Sequence, residues 1–144
     1  LLALAYSINA LSKSMGTANY IVSLSESFLT PMLLPAIIFV ISAIMAFATG
    51  SSWGTFAICM PIALPLAFAF TDGQLGTLVY ACFGAVAGGG VFGDHCSPLS
   101  DTTVLSSTGS AADHIDHVQT QLPYALCCGA LAVVLYLLIG FFAL

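Results

Sequence analysis

Charge is what this sequence lacks. Among its 144 residues there is one basic side chain, Lys13, against six Asp and Glu, and charged residues make up 5% of the chain. Soluble domains carry about a quarter charged residues. At 60% hydrophobic, a chain this short has no water-soluble fold with interior enough to hide its apolar surface. Lipid is therefore the expected solvent for most of it, and the mean hydropathy of +1.08 agrees. The missing bases exclude nucleic acid as a partner, because nothing could neutralise its phosphates. They also leave the orientation in the membrane unset, since the positive-inside bias needs more than one Lys.

Other absences narrow the reading further. The cysteines, Cys59, Cys82, Cys96, Cys127 and Cys128, are odd in number and fit no zinc spacing. They read as small, reduced hydrophobes. No charged n-region with a small-residue cleavage site is visible, so no signal peptide is expected. The chain opens inside an apolar run without an initiator Met, as a fragment of a longer protein would. There is no heptad, low-complexity tract or clear short repeat.

What is present is a series of hydrophobic runs. A membrane-crossing helix needs about 20 apolar residues. Residues 1–11 are too short and read as the end of a truncated helix. A polar break follows over 12–19, then a short interfacial piece over 20–27, with Lys13 and Glu26 as interfacial charges. Residues 31–48 predict a membrane helix with Pro31 in its first turn. Residues 56–70 predict another, kinked at Pro61 and Pro65. A third covers 75–92, where Gly84 and Gly88 have the spacing that lets helices approach closely. Residues 104–112 are Ser- and Gly-rich, 113–121 read as an aqueous connector, and 122–144 predict the last membrane helix. The expected fold is an all-α integral membrane protein, a helical bundle with two broken or re-entrant helices.

The breaks carry the chemistry. Residues 48–55 and 93–103 are polar, contain Gly50, Gly54, Gly93 and Pro98, and abut apolar helices directly. Irregular backbone at membrane depth survives only when buried in protein or lining a wet cavity. Discontinuous helices of this kind build ion sites in transporters, using helix ends and free carbonyls. The second break holds Asp94, Ser97, Ser100, Asp101 and Thr102, and the first holds Thr49, Ser51, Ser52 and Thr55. Na⁺ is a hard cation that prefers such oxygens. A carboxylic acid in a low-dielectric pocket favours its protonated form. One acid that takes either Na⁺ or H⁺, but not both, is the minimum needed for exchange. An Asp at the centre of a membrane helix costs about 2.5–3.5 kcal/mol on insertion scales, so two in one short stretch need a reason.

The same residues carry a resemblance. The stretch Ala48-Thr49-Gly50-Ser51-Ser52-Trp53-Gly54-Thr55-Phe56 and the stretch from Gly93-Asp94-His95-Cys96 to Asp101-Thr102-Thr103 are similar to the NhaC-type Na⁺/H⁺ antiporter family. So is Asp113-His114-Ile115-Asp116-His117-Val118, with Gln121-Leu122-Pro123 after it. The resemblance runs over nearly the whole chain and corresponds to the C-terminal part of a family member. It implies secondary transport by alternating access, with Na⁺/H⁺ exchange as the default, in the cytoplasmic membrane of a prokaryote. It implies one half of an inverted-repeat architecture, the N-terminal half lying elsewhere. Some relatives exchange organic anions such as malate and lactate. The cargo would be Na⁺ and H⁺, with no organic cofactor and no transition metal; a homo-oligomer stays open.

Plainer readings stand beside these. Asp94 and Asp101 suit loops at the membrane surface, and Asp101 could cap a helix. The hydroxyls of both breaks could satisfy local backbone. Trp53 reads as an interfacial anchor or a gate. His114 and His117 read as part of a solvated connector, or as a titratable pair that senses pH. His95 with Cys96 lacks the ligand set of a membrane metalloenzyme. Organic-anion exchange is the alternative within the same family, although the absence of Arg disfavours anion binding by this part alone.

Overall fold

The computed structural model describes residues 30–142 and, before them, Ser7, Ala10, Leu11, Ser14, Met15, Gly16, Thr17, Tyr20 and Ser23. Lys13 and Glu26 lie outside the described residues, as does most of the stub, break and interfacial piece expected over 1–27.

The helices that follow are α1 (Leu34–Thr49), α2 (Ser52–Ala69), α3 (Thr77–Cys96), α4 (Asp101–Gly109) and α5 (His114–Phe142). Among the described residues there is no strand. Three helices, α2, α3 and α5, are long and apolar enough to cross a membrane, and α1 is a shorter apolar helix. The all-α membrane fold expected from composition is the one observed.

Local chemistry sets the boundaries. Pro35, rather than Pro31, sits in the first turn of α1, where its missing N–H is no loss. Gly50 ends α1 in the left-handed region at φ 65°, which a side chain would resist. Ser51 turns extended and caps α2, its Oγ accepting from Gly54 N at 3.3 Å. Ser100 caps α4 in the same way. Asp113 Oδ1 accepts from Ile115 N at 2.9 Å and Asp116 N at 3.2 Å, starting α5. The polar stretch 113–121 is thus not an aqueous connector apart from the last helix. It forms the first turns of α5, which continues through Pro123. In the same way α2 remains one helix through Pro61 and Pro65.

Contacts give the arrangement. Gly89 lies against Phe39, Ser42 and Ala43, Gly93 against Ala43, Ala46 and Phe47, and Ser97 bonds Phe47. Numbers rise together, so α1 and α3 run parallel. Lipid supplies no hydrophobic drive between helices, so close backbone approach over small residues holds such pairs. The closest approach falls on Gly89 and Gly93, not on Gly84 and Gly88. Gly84 and Gly88 face the Tyr136 hydroxyl at 3.5 and 3.3 Å from an added Cβ. Both pairs have four-residue spacing, but they lie on different faces of the helix. Gly90 meets Phe56, and Ser52 meets Asp94, so α2 runs antiparallel to α3. Gly129 meets Phe92 and Gly140 meets Met32, so α5 runs antiparallel to both α1 and α3. Leu34, Phe39, Ala63, Leu66, Val79 and Val86 fill the space between α1, α2 and α3.

Candidate functional site

The two breaks are shorter than the sequence suggested. The first is Gly50 and Ser51, and the second runs from Ser97 to Ser100. Gly54 is helical, in the first turn of α2, and Gly93 is helical in α3. Neither opens the backbone. Gly93 is needed for space, because a Cβ there would run into the Ala43 carbonyl and lie 2.6 Å from Phe47 N. Gly50 and Pro98 do lie in the breaks.

The breaks touch. A Cβ at Gly50 would stand 2.7 Å from the Leu99 carbonyl carbon. Ser97, fully buried, donates from Oγ to Phe47 O at 2.7 Å and accepts from Leu99 N at 3.1 Å. The second break is therefore stitched to the last turn of α1.

Asp94 is the centre of the arrangement. It stands half-buried in the last turn of α3. Its Oδ2 accepts from Ser52 Oγ at 2.8 Å, and its Oδ1 accepts from Ser100 Oγ at 2.6 Å. Ser100 is fully buried and also lies 2.7 Å from Thr102 Oγ1. Its only proton is committed to the carboxylate, so Thr102 donates to Ser100. Thr102 N also donates to Ser100 Oγ, at 3.2 Å. Ser52 is in the first turn of α2 and Ser100 caps α4, so two helix N-termini meet at this carboxylate. Their partial positive ends face the carboxylate.

The other expected ligands are used elsewhere. Thr49 is exposed and donates to Met45 O at 2.8 Å. Ser51 caps α2. Thr55 is buried and donates to Ser51 O at 3.0 Å. Asp101 is exposed in the first turn of α4, and no side-chain partner is found for it among the described residues. The structure does not bring Asp101 to Asp94. Trp53 is 63% exposed, beside Phe56.

Beyond the serines, the sequence missed three contributors. Thr103 is buried and donates to His95 O at 3.2 Å. Gln121 of α5 reaches His95, with Nε2 2.6 Å from the ring Nε2. His114, at the start of α5, lies with Nε2 2.9 Å from Pro98 O. The available signal was the Asp-His-Ile-Asp-His segment, but nothing in its spacing points across to a break sixteen residues earlier. A cavity of about 190 Å³ opens beside Thr102, lined also by His95, Thr103, Ser106, His117 and Gln121. Among the described residues, no three His, Cys, Asp or Glu side chains gather as a transition-metal site requires.

A carboxylate gripped by hydroxyls where helix ends meet, in a chain of membrane-crossing helices, is the kind of site ion carriers build. Comparison with known proteins agrees: the chain belongs to the Na⁺/H⁺ antiporter family, which it matches over residues 1–141. It is 47% identical to an uncharacterized protein of Haemophilus influenzae over 95% of this chain and 26% of that protein. It is 34% identical to the arginine/ornithine antiporter ArcD of Halobacterium salinarum over 89% of this chain and 25% of the relative. It is 36% identical to the malate-2H⁺/Na⁺-lactate antiporter of Bacillus subtilis over 79% of this chain and 23% of the relative. The chain thus spans about a quarter of the length of the curated relatives it matches. The family and the named relatives are carriers, not enzymes. No solved structure matches the chain.

Proposed function

We propose that this chain supplies the cation site of a secondary antiporter that exchanges Na⁺ for H⁺ in a prokaryotic cytoplasmic membrane. The observation that carries the reading is Asp94 held between Ser52 and Ser100 at the meeting of α2, α3 and α4. In this reading Na⁺ replaces the serine protons' hold on the carboxylate. The hydroxyls rotate and offer lone pairs, giving a set of hard oxygens from Asp94, Ser52 and Ser100, with Thr102 behind Ser100. A proton on Asp94 removes the charge that binds Na⁺, so the two cargoes compete for one group. Ser97 supports the site by holding the break, and the exchange calls on no organic cofactor. The rest of the transporter, including the N-terminal half of the repeat, completes the site and provides alternating access.

The test uses the full-length protein in proteoliposomes with an imposed Na⁺ gradient and a pH-sensitive dye inside. Parental protein should alkalinise or acidify the lumen according to gradient direction, and the apparent KM for Na⁺ should rise as pH falls. Asp94→Asn should abolish exchange while the protein still inserts. Exchange by Asp94→Asn at the parental rate would sink the assignment.

The relatives' names favour a second reading, in which an organic solute travels with or against the ions. With no Arg in the chain, a carboxylate solute would have to use the N-termini of α2 and α4 or residues beyond this chain. Counterflow of labelled malate, lactate or arginine into the same vesicles separates the two.

A further inference from the structure

We propose that His114 is a positioning residue for the Asp94 site, holding the 97–100 break in place through the Nε2–H of its ring. The inference rests on the reading of Asp94 as the cation ligand. His114 Nε2 lies 2.9 Å from Pro98 O, and a carbonyl can only accept, so Nε2 carries a proton. Nδ1 lies 3.2 Å from Ser107 Oγ. Ser107 is buried and donates its own proton to Val104 O at 3.0 Å. The Ser107 hydroxyl can turn from Val104 O to donate to Nδ1, or accept from it, so it braces the far side of the ring in either case.

The hold matters because of what flanks Pro98. Ser97 is tied to Phe47 of α1, Leu99 packs on Gly50, and Ser100 grips Asp94. Pinning the Pro98 carbonyl from α5 therefore fixes the serine that meets the carboxylate. No carboxylate lies in ion-pair range of the ring among the described residues. The 97–100 break carries no ionisable side chain, α4 carries only Asp101 at its far end, and the neighbours on the ring's own segment are Asp113, Asp116 and His117. His95 of α3 is engaged by Gln121 instead.

The experiment uses the full-length protein in proteoliposomes. His114→Ala should raise the apparent KM for Na⁺ about fivefold, the worth of one hydrogen bond, and change the maximal rate less. His114→Gln still offers one N–H to Pro98 O. It should recover much of that KM. Ser107→Ala, which removes the partner at Nδ1, should shift KM in the same direction by less, and serves if His114→Ala does not insert. Separately from transport, nitrogen NMR of ring-labelled histidine should show a signal, absent from His114→Gln, with Nε2 protonated. An unchanged KM in His114→Ala, no recovery in His114→Gln, or an Nε2 without a proton by NMR would each overturn the inference. Loss of the cation-site reading would appear instead as undiminished exchange by Asp94→Asn, which the NMR result does not depend on.

Discussion

At the scale of single residues, two acids that look alike in sequence are set apart by their surroundings. Asp94 has a hydroxyl on each oxygen, whereas Asp101 has no side-chain partner among the described residues and faces outward. Asp101→Asn should therefore leave the apparent KM for Na⁺ within about twofold, as for surface substitutions away from a partner. Loss of exchange equal to that of Asp94→Asn would place a second ligand at Asp101. Ser100→Ala should be more harmful than Ser52→Ala. It removes a proton donor to Asp94, the partner of Thr102 and the cap of α4 at once, and a missing cap alone costs about 1 kcal/mol. Sodium-dependent flux in the two variants checks the order. Gly93→Ala, with no room between α3 and α1, should cost about 1–3 kcal/mol through overpacking, read as a lower unfolding temperature in detergent.

At the scale of elements, the existence of each break was legible and its extent was not. Gly50, Pro98 and the clustered hydroxyls mark where regular helix ends, because a left-handed cap and a residue without an N–H are local signals. Gly54 and Gly93 look the same in a one-dimensional pattern, yet both are helical. What separates Gly50 from Gly93 is a neighbour: the chain at Leu99 in one case, the backbone of α1 in the other. The same limit hid the polar start of α5. Its charge suggested a solvated connector, but Asp113 caps it and His114 turns inward to Pro98. Of the candidate ligands, the serine on each side of Asp94 was in the expected set. The threonines that spend their hydroxyls on nearby carbonyls could not be told from them without coordinates. Gly50→Ala tests the first break. The left-handed backbone costs roughly 1–2 kcal/mol for a residue with a Cβ, and contact with Leu99 adds to it. Exchange should fall through displacement of the second break while the α-helical circular dichroism signal is kept.

At the scale of the whole molecule, apolar surface faces outward on a scale no soluble protein of this size shows. Leu131, Val134, Leu135, Leu138 and Phe142 are exposed along α5, as are Ile41 and Ile44 on α1. These faces meet lipid or the rest of the transporter. Cys127 and Cys128, exposed on α5 within its apolar part, should resist a charged, membrane-impermeant maleimide in vesicles and react once the protein is unfolded. A cysteine placed at Ser110, in the polar turn before α5, should label readily when its side of the membrane is open to the reagent. Rapid labelling of Cys127 in intact vesicles would put that surface in water and undo the membrane assignment of α5.

The backbone contact of α1 with α3 limits how this part of a carrier can move. Two helices with no side-chain cushion between Gly93 and Ala43 cannot slide or tilt independently without opening a void, so they behave as one beam ending in both breaks. Asp94 rides on that beam, while Ser52 and Ser100 reach it from α2 and α4 through single hydroxyls. The joint that can open at least cost is that of α4, which meets α3 through Ser100 and Thr103, whereas α2 is packed on the beam through Phe56, Ala63 and Leu66. A cycle that exposes the acid to one side and then the other would peel α4 away from a fixed post.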